Sequence, residues 1–378
     1  MNKIKATPVL KLAIIGGGLN SAVGYTHLIA SQLDHRWELV AACFSSQAEN
    51  NQKTIEAWNL NNIITYNSWE DLLNKEKNKI DAVAILTPTT LHCKMVTKSL
   101  NLGIPTICEK ALATSYSEAK ELNKLQSKMN GFLAVTHNYT GYPMLRELAK
   151  NSKKYLGTIK QVQIEMPQEG FARLDPANNK IRPQAWRLVD GDIPSVSLDL
   201  GTHLQHIIYY LTGEDPVSLV AVENTFGLYE KVIDDVSIIA NYPSGMKSVM
   251  WYGKSALGHR NGLRIRVYGT EGSAEWYQMD PEHLVINDIY GNKKIIDRAS
   301  KVACANEQRY QRFKSGHPAG FIEAFANLYV DIADKLIEYQ TTKKMDKKWV
   351  YGATQATETL KILELASKSS KEKKWIKL

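Results

Sequence analysis

Long apolar runs are missing from this 378-residue chain. Nothing in it approaches the ~20 consecutive apolar residues that a membrane-crossing helix needs, so no membrane association is expected. Cysteine is scarce: Cys43, Cys93, Cys108 and Cys304 are scattered, with no Cys-x-x-Cys pair. That argues against a disulfide framework and against a zinc knuckle, and for free thiols in a reducing compartment. The opening "MNKIKATPVLKLAIIGGG" is basic and then apolar, as a secretion signal is. Its apolar run ends in glycines without a small-residue cleavage pattern, and it reads as a first strand. A cytoplasmic protein is therefore expected. Internal repeats and low-complexity segments are also lacking.

Acidic charge is in deficit, leaving a net charge of +8. Much of the excess lies near the C-terminus, at Lys343, Lys344, Lys347, Lys348, Lys371, Lys373, Lys374 and Lys377. No aromatic-rich basic groove or nucleic-acid motif accompanies it, so these lysines read as a solvated face and no nucleic-acid partner is expected. What the chain does have is an ordinary globular mixture, 44% hydrophobic and 23% charged, and enough length for two domains.

Up to about Tyr142, short apolar runs alternate with helical patterns: "KLAIIGG", "WELVAACF", "IITY", "IDAVAILTP", "PTICEK" and "GFLAVTHNY" read as strands, and "SAVGYTHLIASQL" as the first helix. Continuous apolar strands separated by amphipathic helices imply a parallel sheet covered on both faces. Beyond that point, strand-like segments from "TIKQVQIEM" to "LVINDIY" often follow one another without helices. The fold class expected is thus an α/β Rossmann-type parallel-sheet domain over residues 1–142, then an α+β domain over 143–378 with a large, mostly antiparallel open sheet. Such a sheet needs a cover, and a second copy of the chain would supply one. "QEGFARLDPANNKIRPQAW" lacks periodicity and reads as a long functional loop.

Gly16, Gly17 and Gly18 close the first strand before a helix, in the spacing Gly16-x-Gly18-x-x-Ser21. Glycine permits the tight turn and lets backbone N–H groups approach a pyrophosphate at the helix N-terminus. Gly16, Gly18, Leu19, Asn20 and Ser21 are accordingly assigned to a dinucleotide, with Ser21 small enough to replace the third glycine. The second strand ends without the usual ribose-binding carboxylate and without an arginine for a 2′-phosphate. Ser45 and Ser46 can hydrogen-bond either group, so both NAD and NADP stay open. "TPTTLH" follows the fourth strand, where an α/β sheet builds its ligand crevice, and places Thr87, Pro88, Thr89 and His92 there.

Glu109 and Lys110 end the buried run "PTIC", a costly place for charge unless it is solvated, paired or useful. Asp199 and His203 in "SVSLDLGTHLQH" are four residues apart, on one face of a helix, where a carboxylate can orient an imidazole for acid/base work. A capping aspartate and a core histidine is the alternative. His206 adds a His-x-x-His spacing without a carboxylate motif, so no metal is expected. Asn138 and Tyr142 lie at the domain junction in "THNYTGYP". Trp186 and Arg187 precede the Asp–His helix, and His317 sits at a turn before a long helix.

In order and content these pieces resemble the glucose–fructose oxidoreductase/inositol dehydrogenase/MocA (Gfo/Idh/MocA) family, over nearly the whole length. The motifs are the glycine loop, "EKA" at Glu109–Ala111, "DLGTH" at Asp199–His203 and "GHPAGFIEAFANLY" from Gly316. The resemblance implies an NAD- or NADP-dependent oxidoreductase acting on a ring hydroxyl or ketone of a sugar, anhydrosugar or inositol. It implies Lys110, Asp199 and His203 as the catalytic set, with Lys110 and His203 in proton transfer. It implies Glu109, Lys110, Asn138, Trp186 and Arg187 at the cofactor, and Lys110, Tyr142, Arg187, Asp199, His203 and His317 at the substrate. A redox-neutral lyase or glycosidase using bound NAD, and a non-catalytic dinucleotide or sugar sensor, are the other functions the family pattern leaves open. Ala111 stands where the family has proline, which restricts the backbone beside the lysine. Either neighbouring packing holds Lys110 here, or the site has drifted to other chemistry or lost activity.

Overall fold

Strand β1 (Leu10–Gly16) is buried at every position but Lys11, as expected of a strand covered on both faces. In the computed structural model, which describes residues 8–344 and 349–378, it lies inside a six-stranded sheet. The basic start at residues 1–7, and Lys347 and Lys348, lie outside the described residues. The sheet contains β1, β2 (Trp37–Cys43), β3 (Ile64–Thr65), β4 (Ala82–Leu86), β5 (Thr106–Glu109) and β6 (Leu133–Thr136) in the order β3-β2-β1-β4-β5-β6. All its pairings are parallel. The connections from β1 run one way to β2 and β3, and the chain then returns to the other side of β1. The carboxyl ends of β1 and β4 therefore form a topological switch point, where open α/β sheets bind ligands. Helices α1 (Gly24–Gln32), α2 (Ala48–Trp58), α3 (Trp69–Glu76), α4 (His92–Asn101) and α5 (Tyr116–Met129) connect the strands.

The chain divides into two compact units. Apart from the short stretch Thr114–Tyr116, the parallel-sheet unit runs to Asn138, and Phe321–Thr354 returns to it. This stretch contains α8 (Phe321–Thr342), which packs on α1. Its Phe325, Leu328, Tyr329, Ile332 and Leu336 join Leu12, Ile14, Trp37 and Leu39 in one hydrophobic core. A single boundary at residue 142 does not express this return.

The second unit is built on a nine-stranded sheet. Its strands are β7 (Ile159–Pro167), β8 (Ser218–Asn224), β9 (Asp235–Asn241), β10 (Lys247–Gly253), β11 (Arg264–Gly269), β12 (Gly272–Tyr277), β13 (Asp280–Asp288), β14 (Lys293–Ile296) and β15 (Ile376–Lys377). The order is β14-β13-β12-β11-β7-β10-β9-β8-β15, and only β7 with β10 is parallel. One face packs against α6 (Pro143–Leu156) and α7 (Thr202–Thr212). Helix α9 (Ala353–Glu372) completes the chain before β15. On the other face the register aligns Val222 with Ser237, Ile239 with Val249, Gln161 with Tyr268, and Val285 with Ile295. Val222, Ile239, Tyr268 and Ile295 are exposed there. The fold is thus a Rossmann-type parallel sheet followed by an α+β domain with a large, mostly antiparallel sheet.

Among the described residues, no helix is long and apolar enough to cross a membrane.

Candidate active site

The glycine loop is shaped by what it cannot accommodate. Gly16 and Gly17 have φ of +79° and +73°, the left-handed region that side chains disfavour. A Cβ on Gly16 would lie 2.7 Å from Thr87 Cγ2. At Gly24 a Cβ would fall 1.6 Å from the Gly17 carbonyl oxygen. Gly24, rather than residue 21, is therefore the glycine that lets helix and loop touch. Ser21 instead shapes the turn, where its Oγ accepts from the backbone N–H groups of Val23 and Gly24, at 3.3 and 3.0 Å. That turn delays α1, which begins at Gly24 instead of Ser21. Leu19 and Asn20 are exposed at the tip, and Leu19 N–H donates to Thr54 Oγ1 at 3.3 Å. After β2, Ser45 Oγ accepts from Gln47 N–H, and Asn51 bonds the Ser45 backbone in both directions. Ser46 is exposed.

At the other side of the switch point, Thr87 is half-buried, Pro88 exposed and Thr89 buried. His92 is fully buried, with Nδ1 2.7 Å from the Ala111 carbonyl oxygen and Nε2 2.8 Å from that of Thr87. Burial lowers its pKa against the pull of both carbonyls. It braces the loop after β4 against the loop after β5. The Lys110–Ala111 peptide bond is cis, in the place of the family proline, and Ala111 is buried. Packing and the His92 bond hold this backbone. Lys110 is half-buried at the carboxyl end of β5. Glu109 turns its Oε1 inward, toward His27 Nε2 at 3.0 Å and Thr136 Oγ1. Burial alone would raise its pKa, but His27, the Lys110 charge and the Thr136 bond together hold it low. Asn138 follows β6, and its buried Nδ2 finds no acceptor among the described residues. A buried donor of that kind calls for a ligand or water. A glycine cradle that a Cβ would fill, together with this donor, fits a dinucleotide.

His137 beside it is buried, which pushes its pKa down to about 3. The unfolded chain takes up this proton below about 6.5 and the folded one does not. Its contribution is therefore fully present above the unfolded value and lost as pH falls toward the folded one. Thermal and urea unfolding should show about 2 kcal/mol less stability from this group at pH 5 than at pH 7. In His137→Phe that part of the acid slope should vanish; an identical slope would refute the assignment.

In the second unit, Asp199 lies in a wide π-helical turn, Ser197–Gly201, that runs directly into α7 and His203. Gly201 packs closely there: a Cβ would lie 2.8 Å from Tyr252 Oη and 2.9 Å from Leu363 Cδ2. Ser197 Oγ is 2.9 Å from the same Tyr252 hydroxyl, which pins the turn to β10. Asp199 Oδ2 accepts from Arg187 Nη1 and from Lys254 Nζ, the latter at 2.6 Å. Asp190 and Ser195 tie down the Arg187 segment: Ser195 N–H donates to Asp190 Oδ1 and Ser195 Oγ to the Arg187 carbonyl, each at 2.8 Å. Arg187 also stacks on half-buried Trp186, 4.6 Å from the ring centre. Truncating either partner would leave a buried carboxylate poorly compensated, which is costly.

His203 is buried, and its ring meets Tyr139 edge-on at 4.7 Å. Tyr139 in turn stacks on Tyr142 and accepts a bond from Asn261 Nδ2 at 3.0 Å. Tyr142 is itself buried, and its hydroxyl accepts from Gln278 Nε2 at 3.2 Å. His206 is buried against Tyr210. His317 lies in an exposed turn whose carbonyl accepts from Arg298. Among the described residues, no cluster of three His, Cys, Asp or Glu side chains is placed to hold a metal. Within this unit the structure brings together Asp199, Arg187 and Trp186, and separately His203, Tyr139 and Tyr142. Lys254 and Tyr139 are additions to the residues assigned from sequence. Lys254 follows the apolar strand "SVMWYG" as Lys110 follows "PTICE", so the signal that marks the one marks the other.

Residues 10–137 match the model of the oxidoreductase family with an NAD-binding Rossmann fold, and residues 145–275 match the GFO/IDH/MocA C-terminal domain. The uncharacterized oxidoreductase YfiI of Bacillus subtilis is 27% identical over 339 residues, 86% of this chain and 84% of that protein. Among solved structures, an oxidoreductase from Sinorhizobium meliloti superposes with TM-score 0.83 at 28% identity, covering 98% of this chain and 100% of that one. An inositol dehydrogenase homolog from Azotobacter vinelandii, complexed with NADH and myo-inositol, gives TM-score 0.86 at 22% identity over 99% and 98%. The chain belongs to the Gfo/Idh/MocA family of NAD(P)-dependent oxidoreductases.

Proposed function

We propose that this oxidoreductase oxidises a ring hydroxyl of a carbohydrate or cyclitol, or reduces the corresponding ketone. The observation that carries the reading is Asp199, buried and held by Arg187 and Lys254 one helical turn before His203. A neutral-sugar site needs such a fixed acceptor for hydroxyl groups beside an acid/base. Bound NAD or NADP would take the hydride from the substrate carbon. His203 takes the hydroxyl proton as the carbonyl forms, and Lys110 donates to the oxygen while alkoxide charge develops. Asp199 accepts from neighbouring hydroxyls, and Arg187 supplies a donor fork at the same place. Asn138 and the glycine loop hold the cofactor. The Azotobacter homolog, whose complex contains myo-inositol, makes cyclitols the first substrates to try.

An absorbance assay for reduced nicotinamide tests this, with NAD and NADP against inositols, aldoses, anhydrosugars and sugar acids. Reduction with one class of polyol is the expected result, and it also selects the cofactor. No reduction by any polyol, with glycoside cleavage by the bound cofactor instead, would replace dehydrogenation with the redox-neutral reading.

The unpaired thiols Cys43, Cys93, Cys108 and Cys304 support a cytoplasmic location. The exposed Val222, Ile239, Tyr268 and Ile295 on the open sheet face support a homo-oligomer formed through it. Sedimentation of a monomer at micromolar concentration would overturn that assembly.

A further inference from the structure

Glu109, the residue before Lys110, is the meeting point of four elements. Its Oε1 accepts from His27 Nε2 on α1 at 3.0 Å and from Thr136 Oγ1 at the end of β6. His27 Nδ1 is 2.8 Å from the Tyr329 hydroxyl on α8. His27 and Tyr329 are buried, and the imidazole is packed edge-on against Phe325 at 4.6 Å. Tyr329 is held in turn by Trp37 Nε1, which donates to its carbonyl oxygen at 2.9 Å.

The direction of these bonds follows from the groups. An ionised carboxylate only accepts, so His27 Nε2 carries the proton that faces Glu109. On the other side of the ring, Nδ1 is hydrogen-bonded to the Tyr329 hydroxyl. A continuous chain of hydrogen bonds thus joins Tyr329, His27 and Glu109. An ionised carboxylate at this depth persists only while such donors face it, and its pKa is held low by them against burial. His27 belongs to the first turn of α1, directly behind the glycine loop. The network therefore ties the end of β5 to the helix that opens behind the phosphate cradle.

We infer that His27 and Tyr329 are positioning residues for Lys110, acting through Glu109. With its side chain drawn inward by His27 and Thr136, Glu109 sends the chain out of β5 in one direction, and the next side chain is the ammonium. The inference deepens the proposed reaction and rests on Lys110 meeting the reacting hydroxyl, where a misplacement of about 1 Å costs up to ~10²-fold in rate.

The test uses the full chain carrying His27→Phe, His27→Gln or Tyr329→Phe. Phenylalanine keeps the packing against Phe325 but offers Glu109 no donor; glutamine keeps a donor. Turnover is measured on whichever polyol the unaltered protein oxidises, NADH affinity by fluorescence, and the Lys110 position in crystals with NADH. His27→Phe should lower kcat roughly 10- to 100-fold with NADH Kd within about threefold. His27→Gln should recover kcat to within about threefold of the unaltered protein, and Tyr329→Phe should lose roughly three- to tenfold. In His27→Phe the Lys110 Nζ should move by about 1 Å or more. A folded His27→Phe with unchanged kcat and an unmoved Lys110 overturns the inference. If that variant does not fold, unchanged kcat and Lys110 position in Tyr329→Phe overturn it equally. If the unaltered protein oxidises no polyol, the substrate reading fails by itself, and the crystallographic position of Lys110 still decides the positioning role.

Discussion

Lys110→Ala should lose roughly 10²- to 10³-fold in kcat, the scale of removing one preorganised donor from a developing oxyanion. NADH affinity should change by less than about threefold, because the phosphate cradle at Gly16–Ser21 is untouched. The substitution trims a half-buried side chain at the end of β5 and leaves the His92 bond to the Ala111 carbonyl in place. Unfolding should therefore stay within about 1 kcal/mol of the unaltered protein. Lys110→Arg separates charge from geometry: it keeps the positive charge but spreads it over a planar fork, and should recover little of the rate. Steady-state kinetics with saturating cofactor, together with fluorescence titration of NADH, measures both quantities. Near-normal turnover in Lys110→Ala would remove the residue from the chemistry and leave the glycine cradle unaffected.

Gly24→Ala has the largest expected effect on cofactor binding. The added Cβ would lie 1.6 Å from the Gly17 carbonyl oxygen and 2.8 Å from its Cα. Backbone, not a flexible side chain, stands in the way, so the loop must move away from the helix. Over-packing of this kind costs about 1–3 kcal/mol in a rigid core. The displaced peptide belongs to the turn that presents N–H groups to the pyrophosphate, and NADH affinity should fall at least ~10-fold. Ser21→Ala provides the contrast. It removes the acceptor for Val23 and Gly24 N–H without intruding on the loop, and should cost only about 1 kcal/mol of stability. Titration of NADH fluorescence against both variants distinguishes them. Equal affinity in Gly24→Ala and the unaltered chain would show that the helix can shift without disturbing the cradle.

These glycines show what a sequence discloses and what it withholds. The spacing Gly16-x-Gly18 after an apolar strand is local, and so is the alternation of strand and helix patterns; both are legible without coordinates. Gly24 carries no such mark, because its need arises from a carbonyl seven residues earlier, brought back by the turn at Ser21. Lys110, Asp199 and His203 stand out as charge or imidazole in apolar surroundings, whereas the partners of Asp199 come from remote segments. Arg187 is twelve residues away, and Lys254 lies beyond three intervening strands. The edge strands β14 and β15 escape a reading by pattern for a different reason. One is half charged and mostly exposed, and the other has two residues, so pairing with a neighbour rather than periodicity makes them strands.

The return of α8 to the parallel-sheet unit bears on how the chain matures. Residues 10–137 contain all six strands of that sheet, yet Phe325, Tyr329, Ile332 and Leu336 complete its core. At ~5–20 residues per second, roughly 10–40 s separates emergence of β6 from emergence of α8 on a ribosome. Throughout that interval the apolar side of α1, and of the strands beneath it, lacks its native cover. The nascent amino-terminal half is thus a prospective client for chaperones, and its core is closed only after most of the second unit has been translated.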